Sequence, residues 1–241
     1  MSAVHLTEDG RAFSQTLTRS LQEIGNHVHE LRHARDGGEV LLRSQLCEAL
    51  YWLMPRLSEF YQKHPDIGVR VITSTRPLTE TTERFDLAPQ TVGREATNAD
   101  LVFAVSDDVF PVCSAKFLAT QTQPLSFEKL PEYRLLHHSS SPPDWLDWDS
   151  WFERMGVDAD GKRAGETYDS YPLTMQAAVE GHGLALGCKR ASERLLGSGE
   201  LIRPFKQHVS VPDSFGVYKP RNWKSKPHTS KVLDWIRSEL K

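Results

Sequence analysis

Residues 29–33 read HELRH. His29 and His33 stand four apart, so on an α-helix they share a face. Both imidazoles could then bind zinc, with Glu30 as general base on a metal-bound water. That chemistry also requires a third protein ligand and a dry cleft, and the surrounding residues argue against both. Leu17, Leu21, Ile24, Val28 and Leu31 recur at spacings of four, three, four and three, which is a heptad seam. With Leu21 and Val28 at a, and Leu17, Ile24 and Leu31 at d, His29 falls at b, Glu30 at c and His33 at f. All three turn away from the seam. Asp36 stands where the longer metzincin pattern needs glycine, and Gly37 and Gly38 end the helix directly afterwards. The reading is therefore solvated histidines on a paired helix, with no metal site and no catalytic residue. Zinc hydrolysis is the remote alternative.

The rest of the chain must supply the fold. Its 241 residues suffice for one large domain or two small lobes with a proper core. A 39% hydrophobic and 25% charged composition is that of a globular protein. A net charge of −3 does not fit a wholly basic nucleic-acid binder. No apolar run is long enough to span a bilayer, and the start, MSAVHLTEDGRAF, lacks a signal-peptide core. Cys47, Cys113 and Cys188 are odd in number and widely spaced, which suggests reduced thiols in a cytoplasm.

The heptad seam predicts a long helix from a Thr7 N-cap to about residue 35, paired with the same helix of a second subunit. Strands follow at 39–43 (EVLLR) and 69–73 (VRVIT). Between them, residues 48–64 form an amphipathic helix with Leu50, Leu53, Leu57 and Phe60 on one face. Pro55 implies a kink or a late start. Residues 77–84 are a further helix candidate. Strands are predicted at 86–88, 100–105, 109–113, 133–137, 166–168, 183–188 and 215–218, and helices at 148–155, 172–180 and 230–240. Pro89 argues against a long central strand. Alternating strands and helices imply an α/β fold with parallel pairing.

In open α/β sheets ligands bind beyond the carboxyl ends of strands. Three strand ends present polar side chains there: Ser44, Gln45 and Cys47 after the first; Thr73, Ser74 and Thr75 after the second; and Ser170 and Tyr171 before the helix that Pro172 opens. His137 ends another strand. Free N–H groups at helix starts favour an anion or a carboxylate. Plain N-capping by Ser170 or Asp169, and packing of the Cys47 thiol, explain the same residues without a ligand.

Several segments then converge on one family. Residues 52–71 (WLMPRLSEFYQKHPDIGVRV), 109–118 (VFPVCSAKFL), 175–187 (MQAAVEGHGLALG) and 199–205 (GELIRPF) resemble the effector-binding domain of LysR-type transcriptional regulators. Residues 4–13 (VHLTEDGRAF) resemble the end of the family's winged helix and the entry to its linker helix. The branch it is most similar to holds the glycine-cleavage activator and the β-lactamase regulator. The resemblance implies two Rossmann-like lobes of periplasmic-binding-protein type joined by crossing strands, after an N-terminal linker helix. Residues 1–36 would be the winged-helix remnant and linker, 37–108 with 206–241 the first lobe, and 109–205 the second. A small effector would bind between the lobes. The linker helix and first lobe would make a homodimer or homotetramer. Promoter DNA would be a partner only with the winged helix-turn-helix present, and most of that domain is absent from this sequence. No cofactor and no membrane are implied.

The chain departs from the family's pattern at Cys47, where a hydroxyl is common, and at Tyr171 and Pro172, where two hydroxyl residues are common. The segment 86–100 also differs. Tyr171 would fill part of the cleft, and Pro172 removes a helix-start N–H. Among rival functions, serine hydrolysis lacks the G-x-S-x-G turn, and no phosphate-binding glycine loop occurs. A stand-alone solute-binding protein would carry a signal peptide and no heptad helix. A truncated regulator that pairs with a complete one and inactivates it is the nearer alternative.

Overall fold

A computed structural model describes residues 7, 9–10, 13–14, 16–17, 20–21, 24, 39–74, 84–92, 99–139, 146–158, 165–221 and 226–240. It divides into two compact units, Met1–Glu39 and Val40–Lys241.

In the first unit every described residue from 9 to 24 has helical backbone, as the heptad spacing requires. The Thr7 hydroxyl accepts from the Gly10 N–H at 3.1 Å, the expected cap. Leu17, Leu21 and Ile24 are exposed on this helix. Val28, Leu31 and the whole HELRH segment lie outside the described residues.

The second unit opens with β1 (Val40–Gln45), which leads into α1 (Leu46–Glu48), a π-helical turn (Ala49–Leu53) and α2 (Met54–Lys63). The π-turn has a local cause. Pro55 has no N–H for the carbonyl four residues back, and its ring would collide with that carbonyl. The preceding turn widens instead, and the Met54 N–H reaches Ala49 O, five residues back. The extra residue rotates everything upstream by about 100°. This corrects the predicted face: Leu53, Leu57 and Phe60 are buried, whereas Leu50 is 47% exposed.

Strand β2 (Val69–Ser74) pairs parallel with β1, as the strand–helix–strand pattern predicts. Parallel pairing does not extend throughout. Strands β3 (Ala88–Thr91), β4 (Ala99–Val112), β7 (Ala185–Cys188) and β8 (Val209–Pro220) form an antiparallel sheet in the order β3-β8-β4-β7. The Leu42–Leu87 bridge links β1 to the start of β3. On the far side the Leu135–Leu184 bridge links β7 to a short parallel pair, β5 (His137–His138) and β6 (Thr167–Tyr168). Pro89 lies in the edge strand β3, where a missing N–H is tolerated.

Strand β4 merges the two strands expected at 100–105 and 109–113. Its polar middle, Ser106 to Asp108, is read locally as a break. The ladder with β8 continues past it through two register shifts, which absorb the irregularity as bulges. β4 and β8 are long because they cross between the two lobes.

Among the described residues, five α-helices complete the unit: α3 (Ala115–Ala119), α4 (Trp148–Met155), α5 (Tyr171–Val179), α6 (Lys189–Gly197) and α7 (Thr229–Glu239). Asp147 caps α4 by accepting from the Ser150 N–H, and Gly156 closes it in the left-handed conformation, φ 65°. One core, with Val40, Leu42, Trp52, Phe60, Leu87, Val217 and Trp235, packs α2 and α7 on the first lobe's strands. A second, with Cys113, Phe117, Leu135, Trp151, Phe152 and Phe205, fills the other lobe.

Candidate functional site

Where β4 and β8 cross, a cavity of about 380 Å³ opens. Each wall comes from a different part of the chain. Glu48 arrives from α1, Thr91 and Val92 from the end of β3, and Asp107 and Val109 from the bulged middle of β4. Cys188 and Arg190 come from the β7–α6 junction, and residues 211–214 from β8. The face of α4 carrying Ser150 and Arg154 forms the remaining side. That helix is held against the crossing strand because the Trp151 indole donates to Val109 O at 3.0 Å. A second tie runs from the Trp148 indole to Leu136 O, also at 3.0 Å.

A buried ion cluster dominates this cavity. Arg190 Nε donates to Glu48 Oε2 at 3.3 Å, and Arg190 Nη1 lies 3.0 Å from Asp107 Oδ2. The guanidinium stacks on Phe215, 3.8 Å from the ring centre, a cation–π contact strengthened by the burial of the pair. The backbone N–H groups of Asp108 and Arg190 both donate to Asp107 Oδ1, at 2.9 and 3.4 Å. Glu48 is 2% exposed and Asp107 7%. Burial raises the Asp107 pKa. Arg190 pulls it back, Glu48 pushes it further up, and the net shift is upward. Burial opposes the charge on Arg190, but the two carboxylates outweigh it and its pKa ends above the ordinary value.

The residues singled out in the sequence occupy other places. Ser44 is buried and donates to Pro89 O at 3.3 Å. Gln45 is buried too, and its side-chain oxygen accepts from the Thr91 hydroxyl at 3.3 Å, so it holds a residue of the cavity wall. Cys47 packs in a core cluster with Tyr51, Tyr171 and Met175. Burial, and then the Glu48 charge, push its thiol pKa well up. Thr73 is exposed and Ser74 half-buried at the end of β2, and Thr75 lies outside the described residues. Ser170 precedes α5 without a side-chain capping bond, and its carbonyl accepts from the Thr174 N–H. His137 and Tyr171 line a smaller recess of about 60 Å³, which shares Val109, Leu146 and Cys188 with the larger cavity.

Tyr171 fills space between the lobes, as its size implies. It is 5% exposed, and its hydroxyl donates to Leu186 O and accepts from the Cys188 N–H. The Tyr51 hydroxyl donates to Pro172 O at 3.3 Å, which ties the first helix to the start of α5. The two helix starts therefore face each other, but side chains fill the gap.

Sequence reading passed over Glu48, Asp107 and Arg190. The signal for two of them was available. Glu48 directly follows Cys47, at the strand-to-helix turn after β1. Arg190 follows β7 at the same kind of carboxyl end. Nothing local marks Asp107, whose burial depends on the crossing of two distant strands. Among the described residues no cluster of three or more His, Cys, Asp or Glu could hold a metal ion, and no helix is long and apolar enough to cross a membrane.

Comparison with known proteins agrees with this architecture. The family model for the LysR substrate binding domain matches residues 44–241, and the chain belongs to that family. It is 26% identical over 250 residues to the HTH-type transcriptional regulator DsdC of Escherichia coli K12, covering 99% of this chain and 77% of that protein. It is 23% identical over 210 residues to the glycine cleavage system transcriptional activator of the same strain, covering 87% and 68%. Among solved structures, the effector domain of AmpR from Pseudomonas aeruginosa superposes with a TM-score of 0.68 at 21% identity, covering 84% of this chain and 95% of that one. CrgA from Neisseria meningitidis gives 0.65 at 19% identity, covering all of this chain and 82% of that one. The similar fold is that of two-lobed LysR effector domains, and the curated relatives are transcriptional regulators.

Proposed function

We propose that this chain is the sensing and oligomerisation part of a LysR-type regulator, and that its effector occupies the cavity between β4, β8, α4 and Arg190. One observation carries the reading: a cavity of about 380 Å³, bounded by residues of both lobes, in a chain of this family. A cavity of that size suits a small metabolite. Gln45 acts indirectly by orienting Thr91, while His137 and Tyr171 border the adjoining recess. The two cores support lobe boundaries near residues 108 and 206.

Signalling follows from geometry. Glu48, Asp107 and Arg190 belong to the first lobe, the crossing strand and the second lobe, so an occupant beside them changes how the lobes close. A ligand shifts that equilibrium only if it binds the two arrangements with different affinity. The protein is read as cytoplasmic and not as an enzyme. It reaches promoter DNA only when a winged helix-turn-helix is joined to it.

Oligomerisation is assigned to the N-terminal heptads and to a first-lobe stripe. Leu46, Leu50 and Met54, spaced by four, are 39, 47 and 55% exposed, and such a stripe favours a partner surface. Leu50→Glu with Met54→Glu is expected to lower the mass seen in sedimentation. An unchanged mass removes the stripe from the interface.

The cavity reading is tested by thermal-shift screening of small metabolites against the wild type and a Val211→Trp variant, which fills the cavity. Compounds that stabilise only the wild type support it. Compounds that stabilise both equally place the effector elsewhere.

A further inference from the structure

Two arginines hold the seam between the lobes, and each is shared between them. Helix α6 of the second lobe packs on the π-turn of the first. In its first turn, Arg190 Nε lies 3.3 Å from Glu48 Oε2 of α1. One turn later, Glu193 pairs with Arg56 Nη2 of α2. Each arginine also holds a carboxylate on its own side. Arg56 Nε lies 3.3 Å from Glu239 Oε2 at the end of α7, in the first lobe, and Arg56 Nη1 donates to Trp52 O at 3.0 Å. Arg190 Nη1 lies 3.0 Å from Asp107 Oδ2, and the Arg190 N–H donates to Asp107 Oδ1. Asp107 stands just before Val109, which pairs with Cys188 where β4 meets β7. The ladder therefore keeps Asp107 with Arg190 if the first lobe is displaced.

Breaking a buried ion pair is ordinarily costly, because one charge is left behind without a partner. Parting this seam strands neither arginine. Arg56 retains Glu239 and the Trp52 carbonyl, and Arg190 retains Asp107. The groups released are two carboxylates. Glu193 has a side chain already 64% exposed, so water takes over at little cost. Glu48 is buried only while α6 covers it, and opening gives it to water. We infer that the α6 seam is a reversible clasp, in which Arg56 and Arg190 bridge the lobes when closed and fall back on Glu239 and Asp107 when open. This rests on lobe movement being the signal, as proposed above, and not on what occupies the cavity. The inner end of the clasp, Glu48 and Arg190, lines the cavity. The outer end, Arg56 and Glu193, lies nearer the surface, and a single turn of α6 joins the two. A ligand that favours either arrangement at the inner end shifts the outer end with it.

Pulsed EPR on the 241-residue chain tests the clasp, with nitroxides carried on p-acetylphenylalanine at positions 62 and 197. Gln62 is exposed on α2, and a Cβ at Gly197, the last residue of α6, meets nothing within 4 Å. The wild type is expected to show one main spacing and a minor, longer one. Glu193→Gln removes only a partner across the seam and should raise the longer population about two- to fivefold. Glu239→Gln removes only the own-lobe partner of Arg56 and should lower it about two- to fivefold. Both side chains are partly exposed, so neither change threatens the fold. A fixed ion-pair cluster would not respond to the two variants with opposite signs. A spacing that neither variant alters, or a change of the same sign in both, overturns the clasp. No ligand is used, so that failure leaves the cavity reading standing, whereas failure of the metabolite screen leaves the clasp standing.

Discussion

The hydroxyl of Tyr171 and the backbone of Cys188 are joined across the mouth of the smaller recess. The Cys188 N–H donates to the Tyr171 oxygen at 3.1 Å, and the same hydroxyl donates to Leu186 O at 3.2 Å. A side chain from the start of α5 thereby finishes the hydrogen bonding at the end of β7. Tyr171→Phe would keep the ring in place and leave a buried donor and acceptor without it. The variant is expected to lose about 1–3 kcal/mol of stability, measured by urea denaturation. A loss indistinguishable from zero would mean that water replaces the hydroxyl and that the recess is wetter than its packing indicates.

Arg190 is the counter-charge for two buried carboxylates. Removing it with Arg190→Met leaves Glu48 and Asp107 facing each other unpaired, at a cost of about 3–5 kcal/mol. The pH dependence has a definite sign. Asp107 in the folded wild type already lies above its ordinary value of 3.8, because of burial and then Glu48. Losing Arg190 pushes it further up. A carboxylate with a raised folded pKa takes up a proton more readily when folded, so its favourable contribution is present below the unfolded value and is lost as pH rises through the folded one. The variant should therefore be relatively more stable at about pH 5 than at about pH 8, more so than the wild type. Denaturation at the two pH values checks this, and an opposite trend would show that the carboxylates escape to solvent.

Gly183, two residues before β7, lies against the segment that leads into β5. A Cβ there would sit 2.5 Å from the carbonyl oxygen of Arg134, the oxygen that accepts from the Leu184 N–H at 2.9 Å. Backbone, not a flexible side chain, blocks the space. Gly183→Ala is expected to cost about 1–3 kcal/mol through that displacement, seen as a lowered melting temperature. An unchanged melting temperature would show that the two segments can part without loss.

Cys47 and Cys113 are buried and Cys188 is half-buried at the cavity wall, so protection of Cys188 is chemical more than steric. Burial pushes the Cys188 and Cys113 pKa values up to about 12, and Cys188 is raised further by Asp107. The reactive species is the thiolate. At about pH 8, iodoacetamide should modify Cys188 about a thousandfold more slowly in the folded protein than in urea. Peptide mapping by mass spectrometry reads the rate at each cysteine. Fast labelling of Cys188 in the folded chain would show that its surroundings open.

Much of this protein follows from local pattern. The heptad spacing of Leu17, Leu21 and Ile24, the cap at Thr7, the α4 boundaries set by Asp147 and Gly156, and the β1–β2 parallel pair all depend on residues close to one another in the chain. Residues 52–71 and 175–187 carried the family resemblance and with it the two-lobed fold. Tertiary structure decided the rest. The π-turn before Pro55 turned Leu50 outward, because a single inserted residue rotates a helix face. β4 ran through Asp107 and Asp108, because pairing with β8, about a hundred residues later, outweighed the local polarity. Residues 189–197 became helix α6, with Ala191 and Leu195 inward, once β7 had placed them over a core. Cys47 and Tyr171, candidate ligand contacts by position, became packing residues because each reaches the other's lobe. The charged cluster as a whole has no local signature: Glu48 and Arg190 stand just past strand ends, but nothing near Asp107 in the chain marks it. Glu48, Asp107 and Arg190 are scattered through the chain, and burial, the property that gives them their energy, exists only after the crossing strands have brought them together.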